Sequence, residues 1–169
     1  MLRAKKILLI FSLPILLLVI FFINIKKSDA LTIVPALVEV TGAPGETLVQ
    51  KIGLYNETEQ ILTIYPRTEN FKPQSGTNAP QFLGDANPFG AARWIFLPFK
   101  KITLKSGEKK EFFATIKISA LAEPGGHYAA ILWAEQVGKN AGIGVNSRLA
   151  SLFLFKIKGD IKEEAKLVS

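Results

Sequence analysis

The chain has 169 residues, no cysteine, one histidine and a formal net charge of +7. That length suffices for one domain with a real core plus an export segment, and the missing cysteine excludes disulfides, thiol catalysis and lipid attachment at an N-terminal cysteine. The charge does not make it a nucleic-acid binder: residues 1–30 hold five basic groups against one acid, which leaves 16 basic and 13 acidic residues over 31–169, scattered singly with no stripe to follow phosphates.

The first element in chain order is apolar. Residues 7–23, ILLIFSLPILLLVIFFI, are interrupted only by Ser12 and Pro14, follow Arg3, Lys5 and Lys6, and predict one N-terminal hydrophobic helix. As a helix this run reaches about 26 Å, slightly short of the ~30 Å of a hydrocarbon core. Ser28 and Ala30 then stand at the small-residue positions of a signal-peptidase site ahead of Leu31. Residues 1–30 thus read either as a signal peptide cleaved after Ala30 or as an uncleaved membrane anchor, and both place the remainder outside the cytoplasm.

From Leu31 onward the pattern is β. LTIVPALVEV is a strand-like run in which Pro35 suits an edge or a break between two short strands. After the turn TGAPGE, Leu48, Gln50, Ile52 and Leu54 share one face at a period of two. NETE turns the chain into QILTIYPRT, where Ile61, Thr63 and Tyr65 alternate with Leu62 and Ile64. Further on, ITLKSGEKKEFFATIKIS repeats the strand–turn–strand device: Gly107-Glu108 answers Gly45-Glu46, and Lys110, Phe112, Ala114 and Ile116 stand in the phase of Leu48 to Leu54. Two copies are too few for a repeat array. PGGHYAAILWAEQV, a glycine-rich connection and VNSRLASLFLFKIK complete the series. About seven short strands and no helical period over 31–160 predict an all-β, immunoglobulin-like antiparallel sandwich.

Residues 69–92, ENFKPQSGTNAPQFLGDANPFGAA, break the rhythm and read as a long loop, either mobile or packed by its own Phe71, Phe82, Leu83 and Phe89 into a functional surface. NPFGAA suits one helical turn just before Arg93-Trp94-Ile95.

PGGHYAAILW, residues 124–133, contains the one histidine. Gly126, Tyr128 and Ala130 have the spacing of the tyrosine corner of immunoglobulin-like domains, with Ala130 where the second core cysteine commonly sits. Alternation then sends Tyr128, Ala130 and Leu132 to one face and His127, Ala129, Ile131 and Trp133 to the other. A large neighbour from the facing sheet is expected to fill the space beside Ala130. His127 lacks the partners a metal site needs, so no metal and no cofactor is expected. Trp94 and Trp133 carry two readings: inter-sheet packing, or a stacking platform that makes them ligand-binding residues for a sugar or a partner chain. The last strand is apolar on both faces, so something beyond one sandwich core is expected to cover that sheet.

Catalytic motifs are missing: there is no Gly-x-Ser-x-Gly elbow, phosphate loop, His-Glu-x-x-His or calcium loop. Glu57/Glu59 and Glu163/Glu164 sit in polar turns or tail, where solvated charge is the default, and Asn56-Glu57-Thr58 matches a glycosylation sequon of the kind that arises by chance. The chain is therefore not expected to be an enzyme.

The runs LTIVPALVEVTGAPGETLVQKIGLYNETEQILTIY, ARWIFLP, ITLKSGEKKEFFATIKI, PGGHYAAILW and SRLASLFLFKIKGDI resemble the exported domain of the bacterial WxL-interacting proteins and related membrane-associated proteins, across nearly all of 31–160. The resemblance implies a non-enzymatic, immunoglobulin-like, peptidoglycan-binding module associated with membrane or cell wall. Members of that family usually continue into a second β-domain and a C-terminal membrane helix, whereas this sequence ends IKEEAKLVS; residues 161–169 read as a tail or as the start of a truncated second domain. The functional expectation is an extracytoplasmic envelope module that binds peptidoglycan or a surface protein. The alternative is an assembly chaperone that donates or accepts a strand at a sheet edge, suggested by the apolar last strand and the Pro35-bearing first strand.

Overall fold

Hairpin chemistry organises the first sheet. In Ala43-Pro44-Gly45-Glu46 and in Lys105-Ser106-Gly107-Glu108, glycine takes a positive φ (82° and 68°) that a Cβ would resist. The glutamate that follows caps the turn in each case. Glu46 Oε2 accepts from the Ala43 N–H at 2.7 Å, and Glu108 Oε2 accepts from the Lys105 N–H at 2.6 Å. The strands that leave these turns, β3 (Thr47–Asn56) and β8 (Lys109–Lys117), pair antiparallel with each other, Leu48 opposite Ile116 and Ile52 opposite Phe112.

The computed structural model describes residues 30–74, 76–77, 79–84, 90–135 and 148–160. The expected N-terminal helix, the glycine-rich connection and the tail at 161–169 lie outside the described residues. Ten strand segments form two sheets. The four-stranded sheet runs β1 (Leu31–Val34), β3, β8, β6 (Ile95–Phe96). The other runs β2 (Leu37–Gly42), β10 (Arg148–Ile157), β9 (Gly125–Glu135), β4 (Leu62–Pro73), β5 (Pro80–Phe82), with β7 (Ile102–Leu104) also paired to β4. Pro35, whose preceding peptide bond is cis, is indeed a break: β1 pairs with β3 on one side of it and β2 pairs with β10 on the other.

Three expectations need correction. Among the described residues the strand segments number ten rather than about seven, because β5, β6 and β7 are only two or three residues long and carry no readable period. The sandwich is not wholly antiparallel: after crossing at Pro35, β2 lies parallel to β10. The segment 69–92 is not one loop, since β4 continues to Pro73 and turns back as β5, with Phe71 opposite Phe82. The helical turn expected before Arg93 is a 3₁₀ turn that includes Arg93 and Trp94 (Ala91–Trp94). It is pinned by Asn70 Oδ1, which accepts from the Ala92 N–H at 2.9 Å.

Between the sheets Ile52, Leu54, Ile64, Leu104, Ile116, Ile131, Trp133 and Phe153 are closed to solvent. Each fully buried aliphatic side chain contributes about 1.5–3 kcal/mol. Asn56 and Ser151 are the fully buried polar residues among those described, each at 0 % exposure, and Asn56 is the more heavily bonded. Its amide donates to the carbonyls of Gln60, Leu104 and Lys105, and its Oδ1 accepts from the N–H and the hydroxyl of Thr58. The sequon is thus a buried turn staple that ties the β3–β4 turn to the β7–β8 turn.

Candidate functional site

Period two decides what the six-stranded sheet shows to the outside. Along β9, Ala129, Ile131 and Trp133 join the inter-sheet core, with half-buried His127 against Trp94 on the same side, while Tyr128, Ala130 and Leu132 form a second apolar cluster on the outer face with Phe71, Ala150, Leu152 and Leu154. The rows follow the ladders: Leu37, Leu152, Ala130 and Glu69 lie side by side across β2, β10, β9 and β4, and Ala150, Leu132 and Arg67 form the neighbouring row. The β4–β5 hairpin shields one flank. Phe82 meets Phe71 edge-on at 6.2 Å, and Phe71 leans on Tyr128 at 5.6 Å. The sheet's outer face is thus covered in part by the segment 69–92, as the doubly apolar last strand required.

Within this face a groove of about 120 Å³ is lined by Arg67, Glu69, Phe82, Leu132 and Ala150. Glu69 is nearly buried, at 7 % exposure, and its carboxylate is fully engaged: Oε2 accepts from Arg67 at 2.9 Å and Oε1 from the Gly84 N–H at 2.8 Å. The pair holds the hairpin to the sheet and places one guanidinium, half exposed, at the mouth of an otherwise apolar groove.

The groove adjoins an open main-chain edge. β2 covers β10 only from Leu152 onward, so on that side Arg148–Ser151 have no strand partner among the described residues, although they pair with β9 on the other. The direction of their backbone groups follows from the ladder. The Leu152 N–H donates to the Ala36 carbonyl and the Lys158 N–H to the Gly42 carbonyl, so even-numbered residues of β10 aim at the β2 side. Two residues before Leu152, the N–H and C=O of Ala150 therefore point to the side on which β10 has no ladder partner among the described residues.

The residues singled out from sequence fall elsewhere. Trp133 is 0 % and Trp94 6 % exposed. Trp133 donates its Nε1–H to the buried Ser151 Oγ at 3.2 Å and meets Phe112 edge-on, while Trp94 packs on Phe155 at 5.3 Å and on His127 at 5.0 Å. Neither indole presents a ring face to a ligand, which corrects the stacking-platform reading in favour of inter-sheet packing. The corner geometry is corrected as well. Tyr128 and Ala130 look outward, away from the facing sheet, so no core neighbour fills a cysteine's place beside Ala130. The Tyr128 hydroxyl lies over Gly126, 3.2 Å from where a Cβ would stand, and makes no hydrogen bond among the described residues. His127 is held by the Glu123 carbonyl at 2.8 Å and by the Trp94 ring, a scaffold role. Reading the sequence missed Arg67, Glu69 and Ala150. The available signal was the i, i+2 placement of Arg67 and Glu69, on a strand that had been ended too early.

No family model matches the sequence, and no curated protein does. Solved structures do. The fold is similar to that of a chain in the chaperone–tip adhesin complex of CFA/I fimbriae, with a TM-score of 0.54 and 15 % identity over 79 % of this chain and 59 % of that one. It is similar to the periplasmic chaperone SfaE, with a TM-score of 0.51 and 8 % identity over 77 % of this chain and 59 % of that one. The PapD-like domain 7 of human CEP192 gives a TM-score of 0.50 and 13 % identity over 82 % of this chain and 93 % of that one. The chain spans about three fifths of the length of the fimbrial chaperones it matches (59 %). Identities this low carry the fold alone, and on that ground the described domain has an immunoglobulin-like sandwich fold.

Proposed function

We propose that the protein is a non-enzymatic, extracytoplasmic module that recognises an extended segment of an envelope protein by strand addition. The observation that carries this reading is the stretch of β10 at Ala150 that has no strand partner on this side among the described residues, set directly beside the apolar groove of Leu132, Phe82 and Ala150. An added strand gains main-chain hydrogen bonds from such an edge and side-chain specificity from such a groove. Three independent lines support the assignment. The apolar run at 7–23 suits export, the fold is shared with periplasmic fimbrial chaperones, and the one histidine and both tryptophans serve the scaffold. The likeness to WxL-interacting proteins agrees on an envelope domain. The peptidoglycan ligand that this likeness implies has lost the stacking platform assigned to it, since both indoles are buried.

The test is an array of overlapping ten-residue segments from the exported proteins of the same cell, probed with the folded chain. Binders are expected to alternate apolar residues, and Ala150→Pro is expected to abolish their binding while the fold persists. Proline deletes only a donor aimed at the open edge, where the sheet tolerates it. Binding that survives Ala150→Pro would move the site elsewhere.

A further inference from the structure

We propose that the outer face of the four-stranded sheet docks flat on an anionic lipid surface. This face is separate from the strand-addition site, which lies on the opposite sheet. On β3 and β8, alternation turns Val49, Lys51, Tyr55, Lys109, Glu111, Phe113, Thr115 and Lys117 outward. Val49 and Phe96 both flank Thr115 in the ladder, and Phe113 stands on the same face two residues before it. The three apolar side chains are exposed by 63 %, 49 % and 60 % for Val49, Phe96 and Phe113. Large apolar groups clustered this way on a sheet face are not needed for the core and mark a contact surface.

Charge selects the kind of surface. The face carries three ammonium groups, Lys51, Lys109 and Lys117, against two carboxylates: Glu111, which Lys51 and Lys109 share at 2.7 and 3.3 Å, and Glu57 at the β1 edge, which accepts from the Thr32 hydroxyl at 3.0 Å. Lys117 lies over the Phe96 ring at 5.2 Å, so cation and aromatic are presented together. Aromatic and aliphatic groups interleaved with lysine match the boundary between acyl chains and anionic headgroups.

The chain's own connectivity brings the face there. β1 is the edge strand of this same sheet, and its start is fixed because the Ala30 carbonyl accepts from the Glu57 N–H at 2.9 Å. Only Asn24 to Asp29 separate that point from the apolar run ending at Ile23, and two of those six residues are lysines. Six residues span at most about 20–22 Å. A chain whose apolar run enters a bilayer therefore tethers the domain closely, and by the edge strand of this sheet. The apolar run then holds the domain at the membrane, and the lysine- and phenylalanine-bearing face sets which side lies against it.

The absence of cysteine makes the test direct. The full chain is reconstituted in vesicles of phosphatidylcholine with phosphatidylglycerol, carrying a single bimane-labelled cysteine at Phe113→Cys or, on the other sheet's outer face, at Lys156→Cys. With a nitroxide quencher on the lipid headgroup, quenching at position 113 is expected to exceed that at position 156 several-fold. It is expected to fall to the level of position 156 in high salt, in phosphatidylcholine alone, and in a Lys51→Gln/Lys117→Gln background. Equal quenching at both positions would overturn the proposal. So would shielding at position 113 that rises with protein-to-lipid ratio without lipid quenching, because the face would then be a contact between copies. Quenching that persists in phosphatidylcholine alone would contradict the requirement for anionic lipid.

Discussion

The Trp133 indole donates its N–H to the Ser151 hydroxyl at 3.2 Å, and both residues are closed to solvent. The bond joins β9 to β10 inside the core, two strands that also pair along their backbones with Ser151 opposite Ile131. It explains why a serine interrupts an otherwise apolar inward face of β10, where Phe153, Phe155 and Ile157 follow. A buried indole N–H without a partner costs the full desolvation of that donor.

Ser151→Ala is accordingly expected to destabilise the fold by about 1–3 kcal/mol, read as a lower midpoint in urea with an unchanged slope. Adding Trp133→Phe removes the orphaned donor, so the double variant is expected to lose less than the two single losses combined. Strict additivity would show that the bond contributes nothing.

Trp133→Ala and Trp94→Ala each empty a large volume between the sheets and are expected to cost about 3–5 kcal/mol. Any loss of ligand binding in these variants should track the loss of folded protein measured by near-ultraviolet circular dichroism. A folded tryptophan variant with selectively lost binding would restore the stacking-platform reading.

Asn56→Ala strips the donor shared by the Gln60, Leu104 and Lys105 carbonyls and the acceptor used by Thr58. A loss of about 3 kcal/mol is expected, with the β3–β4 and β7–β8 turns exchanging amide hydrogens faster. The same burial predicts that the folded protein offered to an oligosaccharyltransferase stays unmodified at Asn56, as mass spectrometry would show.

Acid should weaken the hairpin that carries β8. The Lys105 N–H holds the Glu108 carboxyl below its ordinary value of 4.5, with Lys110 assisting, and the Lys51 ammonium, then Lys109, does the same for Glu111. A folded-state value below the unfolded one means that the ionised group favours folding. Its contribution is fully present above about pH 4.5 and is lost as pH falls through the lowered values. Thermal midpoints followed from neutral to about pH 2 are expected to drop across that acid window. Glu108→Gln/Glu111→Gln should flatten the drop, and an unchanged slope would remove these two groups from the account.

The fold class was open to reading because it rests on period two and on turn chemistry, both local. Gly45-Glu46 and Gly107-Glu108 announce their hairpins, and Pro35 announces a break. What lies between strands is not local. Alternation sorted β9 correctly into Tyr128, Ala130 and Leu132 against His127, Ala129, Ile131 and Trp133, yet both sets are apolar, so nothing in the strand itself says which set meets the other sheet. The corner analogy chose the wrong set. The open edge at Ala150 is a relation between β2 and β10, which lie more than a hundred residues apart and meet only once the chain has crossed at Pro35. Likewise, Glu69 becomes a groove residue only because β5 returns over it.

Residue-resolved hydrogen exchange on the full chain, with and without an array-selected peptide, tests the strand-addition account most directly. The Leu152 amide is already bonded to Ala36 and should change little, whereas the Ala150 amide should pass from fast exchange to protection on peptide binding. Protection that appears elsewhere while Ala150 continues to exchange freely would contradict the account.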